Sequence, residues 1–584
     1  MKKKIIALLL MVSMTATVFT GCGGGDNQDD SQNQGDSQNQ DSSENAGTEA
    51  DASSQGEDSS QNKTITAWLY PDDYKYYSSY DENPVVQYLN EKFNCTLKFQ
   101  QPPMGSEQDQ FNLMLGTGEY TDVFEVTYSQ DSTSTLFADG VIRDLAPYAE
   151  TYMPNYYAFL NDPDNEDIRK ALYDEEGHLL TISSLACDES SLMWGGMVYR
   201  KDILETMTGG NVAFPSGEAE PTTVEDWEYM LDLMKQYFDA AQMPEYAGLI
   251  LPYQGYFATG EILNGFGTSG AFMVKDGQVV YGPTSQEFYN YLVKMREWYE
   301  KGWIYQDFAS RTNDLFYLPN TALTYGCSSG IWFGMASQVN DQMSLPDYNL
   351  FVDVQPVASP LDTANGQSGS YSGTLGLASE RANPNQGGWA ISSSCSEENM
   401  ILFMTIADYM YTEEGAMLVS YGFSADMGAA EVPLYQEKGV TEGTYYFDEE
   451  GTFHKNYLFV TGATEETLEM NSFNGMRLPG LHLNSYANHA APEHEQYCDS
   501  VWKKYGTANN FPAAAGGTPE ESAVLTSKYT GYSDYLNSMV PKFIMGTEEL
   551  NEETFAAFVE QMNDLGVEEC RQIYQDIYDR YNSR

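Results

Sequence analysis

Basic residues are scarce in this chain: 29 Lys and Arg stand against 86 Asp and Glu, a formal charge of −57 at neutral pH. Such a field repels a phosphate backbone, which argues against nucleic acid as a partner. An anionic membrane surface repels the folded body too, so membrane attachment requires a covalent anchor. Cysteine is sparse, with seven in 584 residues and no pair at the two-residue spacing of a zinc knuckle or redox motif. The scatter of Cys95, Cys187, Cys327, Cys395, Cys498 and Cys570 suits isolated buried thiols better than a disulfide framework. Histidine numbers five. The stretch His489-Ala490-Ala491-Pro492-Glu493-His494 has one residue too many for an H-x-x-E-H zinc motif, and Pro492 prevents the helix that motif needs. No cofactor and no metal is expected.

What the sequence does have begins at its first residues. Lys2, Lys3 and Lys4 precede an apolar run from Ile5 to Leu10 that continues loosely to Phe19. This is the layout of a secretory signal, too short and too soon polar for a spanning helix. Phe19-Thr20-Gly21-Cys22 resembles a bacterial lipobox, with Phe19 where Leu is usual. That resemblance implies a signal peptide over 1–21 and a diacylglycerol on Cys22. Acyl chains there would hold the protein on the extracellular face of the cell membrane. From Gly23 to Asn62 the chain carries ten acids, no Lys or Arg and almost nothing apolar. Such a segment cannot bury enough surface to offset its ordering entropy, so 22–62 reads as a disordered acidic tether.

The remaining length calls for two or more domains. Thr64 to Tyr70 alternates like a strand. Asn83 to Phe93 places Val85, Val86, Leu89 and Phe93 on one helical face. Thr96 to Phe99 reads as a second strand, and Phe111 to Leu115 as a helix closed by Gly116-Thr117-Gly118. Asp122 to Val126 completes a strand–helix–strand–helix–strand series, which predicts an α/β fold with a parallel sheet. Ligands of such sheets sit beyond the carboxyl ends of the strands, where Tyr70 and Tyr128 fall.

Three passages in order carry a resemblance. They are Phe111 to Val123, with Thr121 where Pro is usual; Tyr199-Arg200-Lys201-Asp202 followed by Pro221-Thr222-Thr223-Val224-Glu225-Asp226-Trp227; and Phe543-Ile544-Met545-Gly546 with the closing helices. Together they resemble bacterial extracellular solute-binding proteins of the family 1 type, in its large lipoprotein branch. These are the substrate-binding components of ABC carbohydrate importers. The resemblance implies a two-lobe periplasmic-binding-protein-like fold with a multi-strand hinge and an interlobe cleft. It places lobe one at 63–187 plus 321–410, and lobe two at 188–320 plus 411–584. It further implies a monomer that delivers its ligand to ABC permease subunits.

Sugar recognition needs flat apolar faces for the pyranose ring, with carboxylates, amides and guanidiniums for its hydroxyls. The chain is rich in one suitable residue, with 44 Tyr against 27 Phe and 8 Trp. Matched by segment order to the maltodextrin-binding type, the ligand candidates are Tyr70, Asp73, Tyr128, Trp194, Tyr256, Trp332 and Trp389. Trp68, Trp227, Trp298, Trp303 and Trp502 read as core, and Asp122 as ordering the start of its strand. Enzyme signals are thin. Gly326-Cys327-Ser328-Ser329-Gly330 fits the G-x-S-x-G elbow, but no HGGG-like oxyanion loop accompanies it. Asn161 to Asp167 is oxygen-rich without the Gly and terminal Glu of a calcium loop. Asp174 to His178 reads as a hairpin turn. Among 86 acids, chance pairs for glycoside cleavage are certain, so an anchored polysaccharide-degrading enzyme is the alternative to a binding protein. A surface adhesin is a third reading.

Overall fold

Six residues, Lys63–Trp68, form β1, in which Ile65 and Ala67 are buried on one face and Trp68 on the other. The helix Pro84–Phe93 follows. Asn83 caps it by accepting from the amides of Val85 at 2.8 Å and Val86 at 3.3 Å, and Pro84 opens it. Then come β2 (Cys95–Gln100), the helix Glu107–Thr117 ended by Gly118 at φ +72°, and β3 (Val123–Glu125). These elements match the sequence reading. They belong to a computed structural model that describes residues 63–70, 76–129, 132–186, 195–242, 248–251, 262–310, 321–327, 353–368, 388–456, 472–483, 486, 493–502, 511–512 and 515–584. Thr64–Arg584 is one compact unit.

Two sheets organise it. The first has order β2-β1-β3-β12-β4, where β4 is Ile182–Ser183 and β12 is Gly388–Ile391. β1 and β3 are parallel, while β12 runs antiparallel to both β3 and β4. Apolar side chains cover both faces, with Ile65, Trp389 and Ile391 on one and Trp68, Phe124 and Ala390 on the other. Asp122 accepts from Thr66 N at 2.8 Å and Thr66 Oγ1 at 2.9 Å, while Thr66 Oγ1 accepts from Asp122 N. Its carboxylate therefore fastens β1 to the start of β3.

The second sheet has order β11-β6-β10-β7. Here β6 is Gly195–Arg200, β7 is Gly248–Leu249, β10 is Thr321–Cys327 and β11 is Val354–Pro356. Strand β6 pairs antiparallel with both β10 and β11. Its core gathers Trp227, Trp298, Trp303 and Phe266 with Phe543, Phe558 and Cys570 from the closing helices Pro519–Met545, Glu552–Asp564 and Val567–Asn582. Trp502 lies flat against Gly196, whose hypothetical Cβ would stand 2.6 Å from the indole, and donates to Met197 O at 2.9 Å. The five tryptophans read as core are 0–7% exposed.

Each sheet therefore has its own core among the described residues, but the chain boundaries differ from the expected ones. Residues 321–327 and 354–356 were assigned to lobe one, yet β10 and β11 complete the second sheet through pairs such as Leu323↔Tyr199 and Gln355↔Tyr199. Residues from 411 onward were assigned to lobe two, yet Leu418, Val419, Tyr421, Phe423, Tyr435, Phe473 and Leu478 pack in the first core. Among the described residues after 411, the chain meets the second sheet again at the helix Glu493–Trp502, through Trp502. Next to two of the crossings lie the short strands β5 (Leu185–Ala186) and Leu481–His482, which pair in parallel. Two separate passages of chain are thereby tied together where one lobe gives way to the other.

Cys95, Cys395, Cys498 and Cys570 are buried free thiols. Burial pushes the Cys95 thiol up to about 11 and the Cys395 thiol up to about 12, the latter helped by Asp122, so both stay protonated and inert at neutral pH. Among the described residues, no helix is long and apolar enough to cross a membrane.

Candidate functional site

Tyr70 lies two residues past β1 and Tyr128 three residues past β3, so both stand at the carboxyl ends of parallel neighbours. Backbone pairing continues past the strands and fixes them. Leu69 N donates to Gln100 O at 3.1 Å, Val126 N to Gly388 O at 2.9 Å, and Ser129 N closes a turn onto Val126 O. Side-chain amides hold the exits, Gln101 Nε2 donating to Tyr70 O at 3.4 Å and Gln108 Nε2 to Tyr128 O at 2.7 Å. The two rings meet edge to face, with centroids 5.3 Å apart and planes at 64°, and Trp68 backs Tyr128 at 6.4 Å. Both tyrosines are half-buried.

A third side chain joins them from far along the chain. Arg477 stacks its guanidinium over the Tyr70 ring, Cζ lying 3.7 Å from the centroid, and donates to the Tyr70 hydroxyl. The loop carrying it is pinned from three directions. Asn83 Nδ2 and Tyr435 Oη donate to Asn474 O and Phe473 O at 2.8 and 2.9 Å, and Gly475 N donates to Leu418 O at 3.0 Å. The fit is close at Gly475, where an added Cβ would stand 3.0 Å from Val85 Cγ1 and 3.4 Å from Val419 Cα. The sequence reading missed Arg477. It is 407 positions from Tyr70, and no local pattern links the two.

Acidic groups complete the surroundings. Glu125, 4% exposed at the end of β3, accepts from Thr127 Oγ1 at 2.6 Å. The Tyr128 phenol is held above its ordinary value, by burial first and then by Glu107 and Glu125, with Arg477 pulling the other way. The ensemble offers aromatic faces, a planar cation and carboxylates within one small region, which suits a ligand with both apolar faces and hydroxyl groups.

Of the sequence candidates, the structure brings together Tyr70 and Tyr128. Trp389 is corrected: it is 1% exposed, packed between Phe99 and Phe403 at centroid distances of 6.4 and 6.0 Å. Its strand β12 is internal to a sheet covered on both faces, so its ring fills the core instead of walling a cleft. Asp73, Trp194, Tyr256, Trp332, Ser328 and Cys22 lie outside the described residues.

The oxygen-rich stretch Asn161 to Asp167 resolves into a turn. Asp162 accepts from Asp164 N at 3.0 Å and opens a short 3-10 helix, Pro163–Asn165. Among the described residues, Asp174, Glu176 and His178 are near enough to hold an ion. Asp174 there accepts from Glu176 N at 3.0 Å and His178 N at 2.7 Å, and Tyr173 bridges Leu179, as in the expected hairpin. Burial opposes protonation of His178, but its 2.7 Å bond to Asp174 and nearby acids raise it above the usual histidine range.

No protein-family model matches the chain, and no curated protein matches it by sequence. Solved structures do match in three dimensions. One is a solute-binding protein of Bifidobacterium longum infantis described as HMO-binding and ABC-transporter-associated (TM-score 0.67, 16% identity, 89% of this chain and 99% of that one). Another is the Streptococcus pneumoniae ABC-transporter substrate-binding protein FusA in complex with kestose (TM-score 0.61, 14% identity, 89% and 100%). A third is the alginate-binding protein AlgQ2 (TM-score 0.59, 18% identity, 89% and 99%). The chain has the two-lobe α/β fold of these binding proteins over nearly its whole folded length.

Proposed function

We propose that this chain captures a carbohydrate, an oligosaccharide in particular, between its lobes and passes it unchanged to the permease subunits of an ABC importer. The observation that carries this reading is the Tyr70–Tyr128–Arg477 cluster at the strand ends of a two-lobe fold. Aromatic faces beside a guanidinium and carboxylates can hold a sugar, and nothing in that set is arranged as a nucleophile with its base. The solved proteins that share the fold bind glycans according to their descriptions, which supports the same ligand class here.

The mechanism proposed is hinge closure. Solute that touches both lobes shifts the population toward the closed form, and only by as much as its contacts there exceed those in the open form. The β5 pairing with Leu481–His482 supplies a place to bend. Against a panel of soluble oligosaccharides, at least one is expected to raise the melting temperature and to shrink the small-angle scattering radius at saturation. A melting temperature and radius unmoved by every sugar would sink this reading, as would shortened products after incubation.

We further propose that the protein acts as a monomer held by lipid on Cys22 at the extracellular face, with residues 22–62 as tether. Changing Cys22→Ser is expected to release the protein into the medium, measured by membrane fractionation. Retention at the membrane would refute the anchor.

A further inference from the structure

Two arginines at the end of the closing helix reach from the second core to the first. The helix Val567–Asn582 packs in the second core through Val567, Cys570 and Tyr574. Near its end, Arg580 Nε donates to the Glu175 carboxylate at 2.6 Å. Arg584, just beyond it, donates through Nη1 to Tyr173 O at 2.9 Å and Lys170 O at 3.2 Å, and its Nη2 lies 3.6 Å from the same carboxylate. These partners belong to the first lobe, whose core holds Leu172 and Leu179 on either side of the turn. Asp174 fixes that turn by accepting from Glu176 N and His178 N, which leaves Glu175 facing the helix.

Strand direction places this contact. β12 runs antiparallel to both β3 and β4, so β4 is parallel to β1 and β3. The turn leads into β4 and therefore lies at the amino ends of these strands, whereas Tyr70 and Tyr128 lie past the carboxyl ends. A second path agrees: Leu145 N donates to Leu179 O, and nearby Ile142 bridges Ser392 just past the carboxyl end of the antiparallel β12. The crossing at β5 follows β4 on its carboxyl side. A second lobe that swings about this crossing onto the carboxyl ends must move away from the amino ends, as the arms of a lever do.

Arg580 is held so that it can let go on one side. Its Nη1 and Nη2 donate to Glu521 at 3.0 and 2.6 Å, and Glu521 is fixed in turn by the capping box that opens the helix Pro519–Met545. The planar guanidinium therefore stays aimed when Glu175 leaves. The side chains of Arg580, Arg584 and Glu175 are 31, 18 and 33% exposed. Pairs at that exposure are individually weak and screened by salt, so they bias the lobes without pinning them.

We infer that Glu175, Arg580 and Arg584 form an interlobe latch at the end of the sheet away from the cleft, one that favours the open form and lowers ligand affinity without touching ligand. This rests on the hinge-closure reading above, but not on which ligand is bound. The test is small-angle scattering of the full chain without ligand, comparing the parent with Glu175→Gln, Glu175→Lys and Arg584→Gln. Lys235→Gln is the control, since Lys235 pairs with Asp239 on one helix of the second lobe. Loss of the latch is expected to shift the open-to-closed ratio about two- to fivefold. The radius then falls in Glu175→Gln, falls further in Glu175→Lys, where like charges part the lobes at this edge, and keeps its parent value in the control. Raising salt from about 0.05 to about 0.5 M is expected to shrink the parent more than Glu175→Gln, a difference that cancels effects common to both chains. In isothermal titration with kestose, maltotriose and mannotriose, any sugar that binds the parent is expected to bind Glu175→Gln about two- to fivefold more tightly. Arg584→Gln carries the test if the Glu175 variants melt early. Weaker binding by the variants, or a larger radius, would overturn the latch. Equal radii in every variant, with a sugar still shrinking the parent, would overturn it and leave capture intact. A radius that neither sugar nor substitution moves would overturn closure and the latch together.

Discussion

Trp227→Ala is expected to lower the unfolding free energy of the second lobe by about 3–5 kcal/mol, the range for truncating a fully buried tryptophan. Trp227 is 0% exposed and stacks on Trp298, with centroids 6.3 Å apart and planes at 16°. Removing one indole strips the other of its facing surface and opens a void that Met230, Leu231 and Met234 cannot fill without leaving their rotamers. Trp298 cannot follow, because its Nε1 donates to Glu228 at 3.0 Å and Lys294 bridges Glu228 and Glu297 at 2.9 Å each. Trp227 Nε1 itself is buried with no hydrogen-bond partner among the described residues. Trp227→Phe therefore keeps most of the packing and relieves an unsatisfied donor, and its loss is expected to be much smaller than that of alanine. Urea unfolding followed by tryptophan fluorescence checks both. Similar losses for Phe and Ala would show that the stack is not what holds this core.

The sequence displayed what is local. Alternation in Lys63–Trp68, the helical face of Val85, Val86 and Leu89, and the Asp174–His178 turn are each written within a few residues, and each matches the structure. So is the passage Pro221–Trp227, met first as a family pattern and now explained as a helix start. What the sequence hid depends on partners hundreds of positions away. Nothing near Thr321 says that β10 will pair with β6, and nothing near Leu418 says which core it will enter. Trp389 misled for a related reason. A Gly-Gly-Trp strand looks the same in sequence whether its ring faces a crevice or a covering helix, and here Phe403 of the helix Glu397–Tyr409 covers it. Arg477 was silent because its role is defined entirely by what Tyr70 brings to it.

The second large effect belongs to Asp226, where the sign with pH is as diagnostic as the size. Its carboxylate, 0% exposed, accepts from Ser216 N at 2.9 Å, Thr222 N at 2.8 Å, Thr223 N at 3.0 Å and Thr222 Oγ1 at 3.3 Å. Thr223 returns the favour by capping Asp226 N at 3.2 Å, so the helix Val224–Ala240 begins on a reciprocal box. The same turn is tied to the segment after β11, since Val224 N donates to Leu361 O and Leu361 N to Thr222 O. Asp226→Ala leaves the buried Thr222 amide and its partly buried neighbours without this acceptor and is expected to cost about 3 kcal/mol at pH 7. Burial by itself would raise the Asp226 carboxyl, but the hydrogen bonds from Thr222, Ser216 and Thr223 outweigh it and hold it below the usual range. A depressed folded value means that the contribution is complete above the unfolded carboxylate pKa of about 3.9 and disappears as pH falls through the folded value. The gap between parent and Asp226→Ala is therefore expected to be flat from neutral pH down to about 5 and to narrow below about 4. Taking the difference cancels the other titrating acids, which both proteins share. Urea midpoints at pH 7, 5 and about 3 decide it: a gap that widens as pH falls would mean that the carboxylate is a burden held in place by its neighbours and not the anchor of this turn.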